Sequence, residues 1–188
     1  MNLTDLQHEA HAIAVAKGWW DEATTFGDRI ERIHGALSEA GKASRAPAFR
    51  GDLGWRYVPI LDDEDTDRIV GNKPVGVAAE LADAVILAAD MAEHYDWDLS
   101  GWQGEPEPLP MTNPTFGDWI SFLHAGLSLA FASLCTTLER DEWIEPLKAL
   151  LREITAMAAN YGMDLDAAIQ AKLEYYRTRP NRQGGKTL

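Results

Sequence analysis

The sequence predicts an all-α protein, a helical bundle carried by a single domain of 188 residues. Three observations lead there. Apolar residues recur at spacings of three and four through most of the chain. No stretch alternates apolar and polar residues over the length of a strand. Prolines and glycines gather mainly in two breaks, at 47–74 and 100–114.

Taken in order, residues 3–17 carry Leu3, Leu6, Ala10, Ile13 and Ala14 on one face, and Gly18 is placed to end that helix. After the connection Trp19-Trp20-Asp21-Glu22, Thr25 can cap a second helix over 26–45, whose inner face is Ile30, Ile33, Leu37 and Ala40. Pro47 closes it. The following stretch, 47–74, reads as irregular and holds the acidic cluster Asp62-Asp63-Glu64-Asp65 with Asp67. A connection of that length inside a compact domain points to function or mobility. A third helix spans 75–96, and three more fall at 115–139, 142–161 and 164–179, the last with Asp164 as N-cap and Pro180 as stop. The tail, 180–188, is basic and loop-like.

Charge and composition narrow the function. A net charge of -13 argues against a nucleic-acid backbone as partner, which requires a basic face. It leaves open a small phosphate ligand whose charge a bound metal bridges. The lone Cys135 rules out an intrachain disulfide framework and a multi-cysteine zinc site. Met1-Asn2-Leu3-Thr4-Asp5 is no secretory leader, and the apolar stretches stop short of a membrane span, so the expectation is a cytoplasmic protein with no membrane partner.

The third helix carries Glu80-Leu81-Ala82-Asp83, two acids one turn apart on a shared face beside a near-continuous apolar run. Such a pair is costly to bury unless a cation meets it. Either a hard divalent ion or an Arg or Lys from another helix supplies that cation.

The chain also echoes itself. Phe26-Gly27-Asp28 with Ile30, His34, Leu37 and Ser38 recurs 90 residues on as Phe116-Gly117-Asp118 with Ile120, His124, Leu127 and Ser128. Met91-Ala92, Tyr95 and Asp98-Leu99 recur 66 residues on as Met157-Ala158, Tyr161 and Asp164-Leu165. A duplicated helix pair predicts packing about a pseudo-twofold axis, a pseudo-dimer within one chain. The first half, 1–99, holds the acids; the second, 115–188, is degenerate, since Glu39 becomes Leu129. Recurrence of His34 as His124 on apolar faces points to an inter-helix contact.

The ordered set Lys17-Gly18-Trp19-Trp20, Phe26-Gly27-Asp28 through Ser38-Glu39, Lys73-Pro74 through Glu80-Leu81-Ala82-Asp83, and Lys172 through Tyr176, Arg179, Arg182, Gly184-Gly185 and Lys186 resembles the MazG-like branch of the all-α nucleoside triphosphate pyrophosphohydrolases, which includes dimeric dUTPase-type relatives. The resemblance covers 1–46, 73–99 and 164–188. It implies a four-helix core, a nucleoside triphosphate substrate cleaved to monophosphate and pyrophosphate, and Mg²⁺, or Mn²⁺ in its place. By resemblance, Glu39, Glu80 and Asp83 are the catalytic metal ligands, and Lys172, Arg179, Arg182 and Lys186 lie near the nucleotide. Trp20 is a candidate to stack on the base, and Lys17 and Lys42 complete the substrate-facing set. The chain is expected to act as a pseudo-dimeric monomer or a homodimer.

The family pattern is broken in three places. The second acid of the family's E-x-x-E falls at Lys42, and Tyr176 and Gln183 stand where Asn and His are common. Lys42 leaves three readings: it replaces one ion electrostatically, Asp90 or the 62–67 acids supply another ligand, or the site keeps binding without catalysis.

Overall fold

A computed structural model describes residues 2–49, 52–62, 68–103, 109, 112–137 and 140–180. Six α-helices lie among them: α1 (Leu3–Ala16), α2 (Phe26–Arg45), α3 (Val77–His94), α4 (Phe116–Thr137), α5 (Ile144–Asn160) and α6 (Leu165–Thr178). Each falls where its periodicity places it. No helix among the described residues is long and apolar enough to cross a membrane.

The all-α expectation needs one correction. The stretch read as irregular contains a two-stranded antiparallel hairpin, β1 (Arg56–Leu61) and β2 (Ile69–Val75), with Tyr57 opposite Pro74 and Val58 opposite Lys73. Its pattern is hidden because Tyr57, Leu61, Ile69 and Val70 are apolar yet exposed, so apolar character does not alternate in the sequence even where burial does along β1. Pro59 and Pro74 are tolerated because both strands are edges. At the joint between β2 and α3, Gly76 adopts φ 120°, a conformation closed to most side chains.

The centre of the fold is α3. Alanines 78, 79, 82, 84, 88, 89 and 92 are buried, with Leu81, Val85, Ile86 and Met91 between them. A helix apolar on nearly all sides must be covered on all sides, and α3 packs against α1, α2, α5 and α6. The small alanines allow close approach and favour the helix intrinsically. Truncating Leu81 or Ile86 to Ala is expected to cost about 2–5 kcal/mol.

The two helix pairs share local geometry. Thr25 and Asp28 form a capping box on α2, with Asp28 N donating to Thr25 Oγ1 at 3.2 Å and Thr25 N to Asp28 Oδ2 at 2.7 Å. At the start of α4, Thr115 and Asp118 make the same pair of bonds at 3.2 and 2.8 Å. The helix ends match as well. Trp97 N donates to Ala92 O at 2.8 Å after α3, and Met163 N to Ala158 O at 2.9 Å after α5. The residues that turn the chain there, Asp96 and Gly162, have φ 57° and 65°.

Between α2 and α4 the contacts are reciprocal. His34 Nδ1 meets His124 Nδ1 at 2.7 Å, Ser38 Oγ lies 3.4 Å from His124 Nε2, and Ser128 Oγ lies 3.4 Å from His34 Nε2. The ring centroids are 5.0 Å apart with planes 9° apart. That separation exceeds the nitrogen distance by about one ring's width, so the imidazoles meet nose to nose in nearly one plane. One nitrogen must donate and the other accept.

Candidate functional site

Glu80 and Asp83 lie on the first turns of α3, and the side of α3 they occupy is covered by α6 and the base of β2. Their side chains are only 17% and 15% exposed. The cation that meets them comes from another helix. Lys172 of α6, itself 1% exposed, places Nζ 2.6 Å from Asp83 Oδ2 and 3.8 Å from Glu80 Oε1. Tyr176, one turn further along α6, donates its hydroxyl to Asp83 Oδ1 at 2.5 Å. Trp19 and Tyr176 pack in a T-shaped pair, their ring centroids 5.1 Å apart and their planes 83° apart.

This cluster holds two acids against one fully buried ammonium. Burial pushes the Glu80 carboxyl up to about 7; the adjacent Asp83 adds to the rise, against the opposing pull of Lys172 and Lys73. The Tyr176 hydroxyl is raised well above its ordinary value, first by burial and then by Asp83. Glu80 therefore sits poised between charged and neutral near pH 7. The donor set is all oxygen, and its charge is not matched by Lys172 alone. Such a set fits Mg²⁺, which binds through one or two carboxylates and takes its remaining ligands from phosphate and water; Mn²⁺ accepts the same donors.

The other expected residues fall as follows. Glu39 and Lys42 form an exposed pair on α2, with Lys42 Nζ 3.2 and 3.3 Å from the two carboxylate oxygens. Among the described residues no three His, Cys, Asp or Glu side chains are gathered to hold a metal ion, so protein carboxylates alone do not complete a coordination shell there. Lys17 donates to the carbonyls of Arg177 and Arg179, both at 2.7 Å, and so caps the end of α6. Arg179 lies over the Tyr175 ring at 5.5 Å. Arg182 and Lys186 lie outside the described residues, as do 63–67 of the acidic cluster.

Trp20 does not offer a free face. Its ring stacks on His94 at 3.6 Å, with the Arg29 guanidinium 3.5 Å from its centroid on the other side. Its Nε1 donates to Asp90 Oδ1 at 2.9 Å, which also meets His11 Nδ1 at 2.7 Å. Asp90, only 2% exposed, thus belongs to a separate polar cluster of α1, α2 and α3. Seven residues of helix put it about 10 Å along the axis from Asp83, too far to share one ion with it.

Sequence reasoning missed Tyr176 and Lys73 as neighbours of the acids. The signal for Tyr176 was present as the departure from Asn at that position; Lys73 stood in the ordered set of the resemblance without a role, because the strand carrying it was not recognised. In comparison with known proteins, no family model, no curated protein and no solved structure matches the chain.

Proposed function

We propose that the chain is a Mg²⁺-dependent nucleoside triphosphate pyrophosphohydrolase of MazG-like architecture, with Glu80 and Asp83 holding the ion. The observation that carries this reading is the buried carboxylate pair faced by a single ammonium, with Glu80 titrating near 7. When bound, Mg²⁺ supplies neutralisation of the triphosphate and a polarised water. Asp83 is oriented by Tyr176 and Lys172. Glu80, raised to about 7 in the metal-free cluster, would be drawn to its ionised, ion-holding form by Mg²⁺ beside it. Lys172 is buried against Asp83, so the exposed ammonium close enough to act on Glu80 is that of Lys73, and Arg179, with Arg182 and Lys186 following it in sequence, adds further positive charge. Products are a nucleoside monophosphate and pyrophosphate.

The same reading takes the two helix pairs as copies of one ancestral pair forming a pseudo-dimer. The matching capping boxes and the reciprocal His34–His124 contacts support it.

A second reading, a nucleotide-binding module without turnover, is favoured by one observation. Lys172 already lies at hydrogen-bond distance from Asp83 and competes with any ion for that oxygen. Incubation with a panel of nucleoside triphosphates and Mg²⁺, assayed for pyrophosphate, separates the two. Turnover that is lost in Glu80→Gln is expected. Mg²⁺-dependent nucleotide binding without pyrophosphate selects the second reading, and neither binding nor release defeats both.

A further inference from the structure

The first turns of α2 carry two arginines whose charge no carboxylate meets. Arg29 is 5% exposed. Its Nη2 donates to Trp19 O at 3.1 Å, and its guanidinium carbon lies 3.5 Å from the centre of the Trp20 ring. Those contacts hold the chain between α1 and α2, but they leave Nε buried with no acceptor. Arg32 follows one turn later on the same side of α2. It is half-buried, and its Nη2 is likewise buried with no acceptor. Among the described residues neither guanidinium has an ion pair.

The acids nearby are engaged elsewhere. Buried Asp90 takes His11 Nδ1 and Trp20 Nε1 on the same oxygen, Oδ1. Asp28 is exposed and accepts from Thr25 in the capping box. Asp90 and Asp28 act on both arginines, and Glu31 on Arg32, only from beyond ion-pair distance. Burial, and for Arg29 also the repulsion of Arg32, lowers both guanidiniums from their ordinary value. They stay charged at neutral pH all the same. The remaining titratable neighbours, His11, His94 and Tyr95, bring no negative charge there. Two permanent cations thus share one buried carboxylate. A buried donor left unmade loses its hydration without return, and it calls for a bound water or an ion. A water supplies the hydrogen bonds but not the charge; an anion supplies both.

We propose that Arg29 and Arg32 form a binding site for a small inorganic oxyanion, phosphate before others, which enters on the half-exposed Arg32 side. Guanidinium groups match oxyanions in both shape and charge. A carboxylate spends its oxygens on one guanidinium, whereas phosphate presents oxygens on every side and reaches two. Burial of both donor atoms favours the free ion over a nucleotide or a phosphorylated protein. Asp90 stands about two turns of α3 beyond Asp83, so the site is separate from the Glu80–Asp83 cluster and independent of the function proposed for it.

Calorimetric titration of the full chain with inorganic phosphate tests the assignment, in EDTA and at constant ionic strength set by chloride. EDTA leaves the carboxylate pair no metal through which to hold an anion. One phosphate per chain is expected, bound at least tenfold tighter than acetate. The Arg29 Nε–H resonance should move along the same saturation curve. Arg32→Gln, a substitution that suits a helix, should weaken phosphate binding about tenfold or more. Arg32→Lys should fall between, because it keeps the charge and loses the planar fork. Glu80→Gln should bind phosphate as the parent does, so failure of this site and failure of the hydrolase reading are told apart. The proposal is overturned if phosphate does not bind, which leaves water as the partner of the two donors, or if acetate binds as tightly. It is equally overturned if folded Arg32→Gln keeps the parent's affinity, or if phosphate binds while the Arg29 Nε–H resonance stays in place.

Discussion

The Lys172 ammonium and the Asp83 carboxylate form a 2.6 Å ion pair in which the lysine is almost completely withdrawn from water. The pair joins α6 to α3 across 89 residues of sequence.

Lys172→Met keeps the volume of the side chain and removes its charge. Two buried carboxylates are then left without their ammonium, and the expected loss of stability is about 3–5 kcal/mol. Millimolar Mg²⁺ should restore part of that loss by binding the folded state alone. Urea unfolding with and without Mg²⁺ measures both. A variant as stable as the parent in the absence of metal contradicts the assigned role of Lys172.

Glu80 gives the stability a pH dependence of defined sign. Its folded pKa of about 7 lies above the ordinary value of 4.5, so between those limits the native state binds more protons than the unfolded chain. The Glu80 contribution is therefore fully present below about 4.5, and is lost as pH rises to 7. Subtracting the Glu80→Gln profile from that of the parent isolates this slope. A flat difference across that window means that Glu80 is not held in its raised state.

The paired imidazoles of His34 and His124 act in the opposite direction. Burial holds both below their ordinary value of 6.5, so stability from this pair is present above 6.5 and is lost as pH falls. The geometry sharpens the effect: one shared proton fits between the two Nδ1 atoms, whereas two protons confront each other. The double variant His34→Phe, His124→Phe should lose this acid sensitivity. Nitrogen chemical shifts of the parent should show the second protonation coming well below the first.

Lys42→Glu restores an acid where the family pattern has one. Because Lys42 and Glu39 are exposed, 73% and 56%, losing their ion pair should cost less than about 1 kcal/mol. Mg²⁺ affinity is expected to rise, since the substitution adds a negative charge to the α2 face that already carries Glu39. Titration of Mg²⁺ by calorimetry checks this; unchanged affinity in a folded variant places α2 outside the ion's reach.

Helix positions were legible because burial of one face writes a period of three to four into the chain, as in Ile30, Ile33, Leu37 and Ala40. The caps at Thr25 and Asp164 were legible for the same local reason. The hairpin was not, since its outer face carries Tyr57, Leu61, Ile69 and Val70, and apolar residues on the exposed side erase the alternation. At the candidate site, the shared face of Glu80 and Asp83 followed from spacing alone. The identity of their cation did not. Lys172 and Trp20 belong to the expected substrate-facing set, but Lys172 is spent on Asp83 and Trp20 on Asp90, partners 89 and 70 residues away. Nothing in local pattern records a pairing at that distance. The symmetric recurrence of His34 and His124 is the exception, because a repeat carries long-range information within the sequence itself.

The wiring of α3 to α6 has a consequence for the order of biosynthesis. At about 5–20 residues per second, Lys172 leaves the ribosome roughly 4–18 s after Asp83. Throughout that interval the nascent chain holds a helix apolar on nearly every side whose two acids have no partner to let them be buried. The bundle closes late, when its last helix arrives, and a chain stalled before α6 presents alanine-rich, unsealed surface to whatever chaperone or protease meets it first.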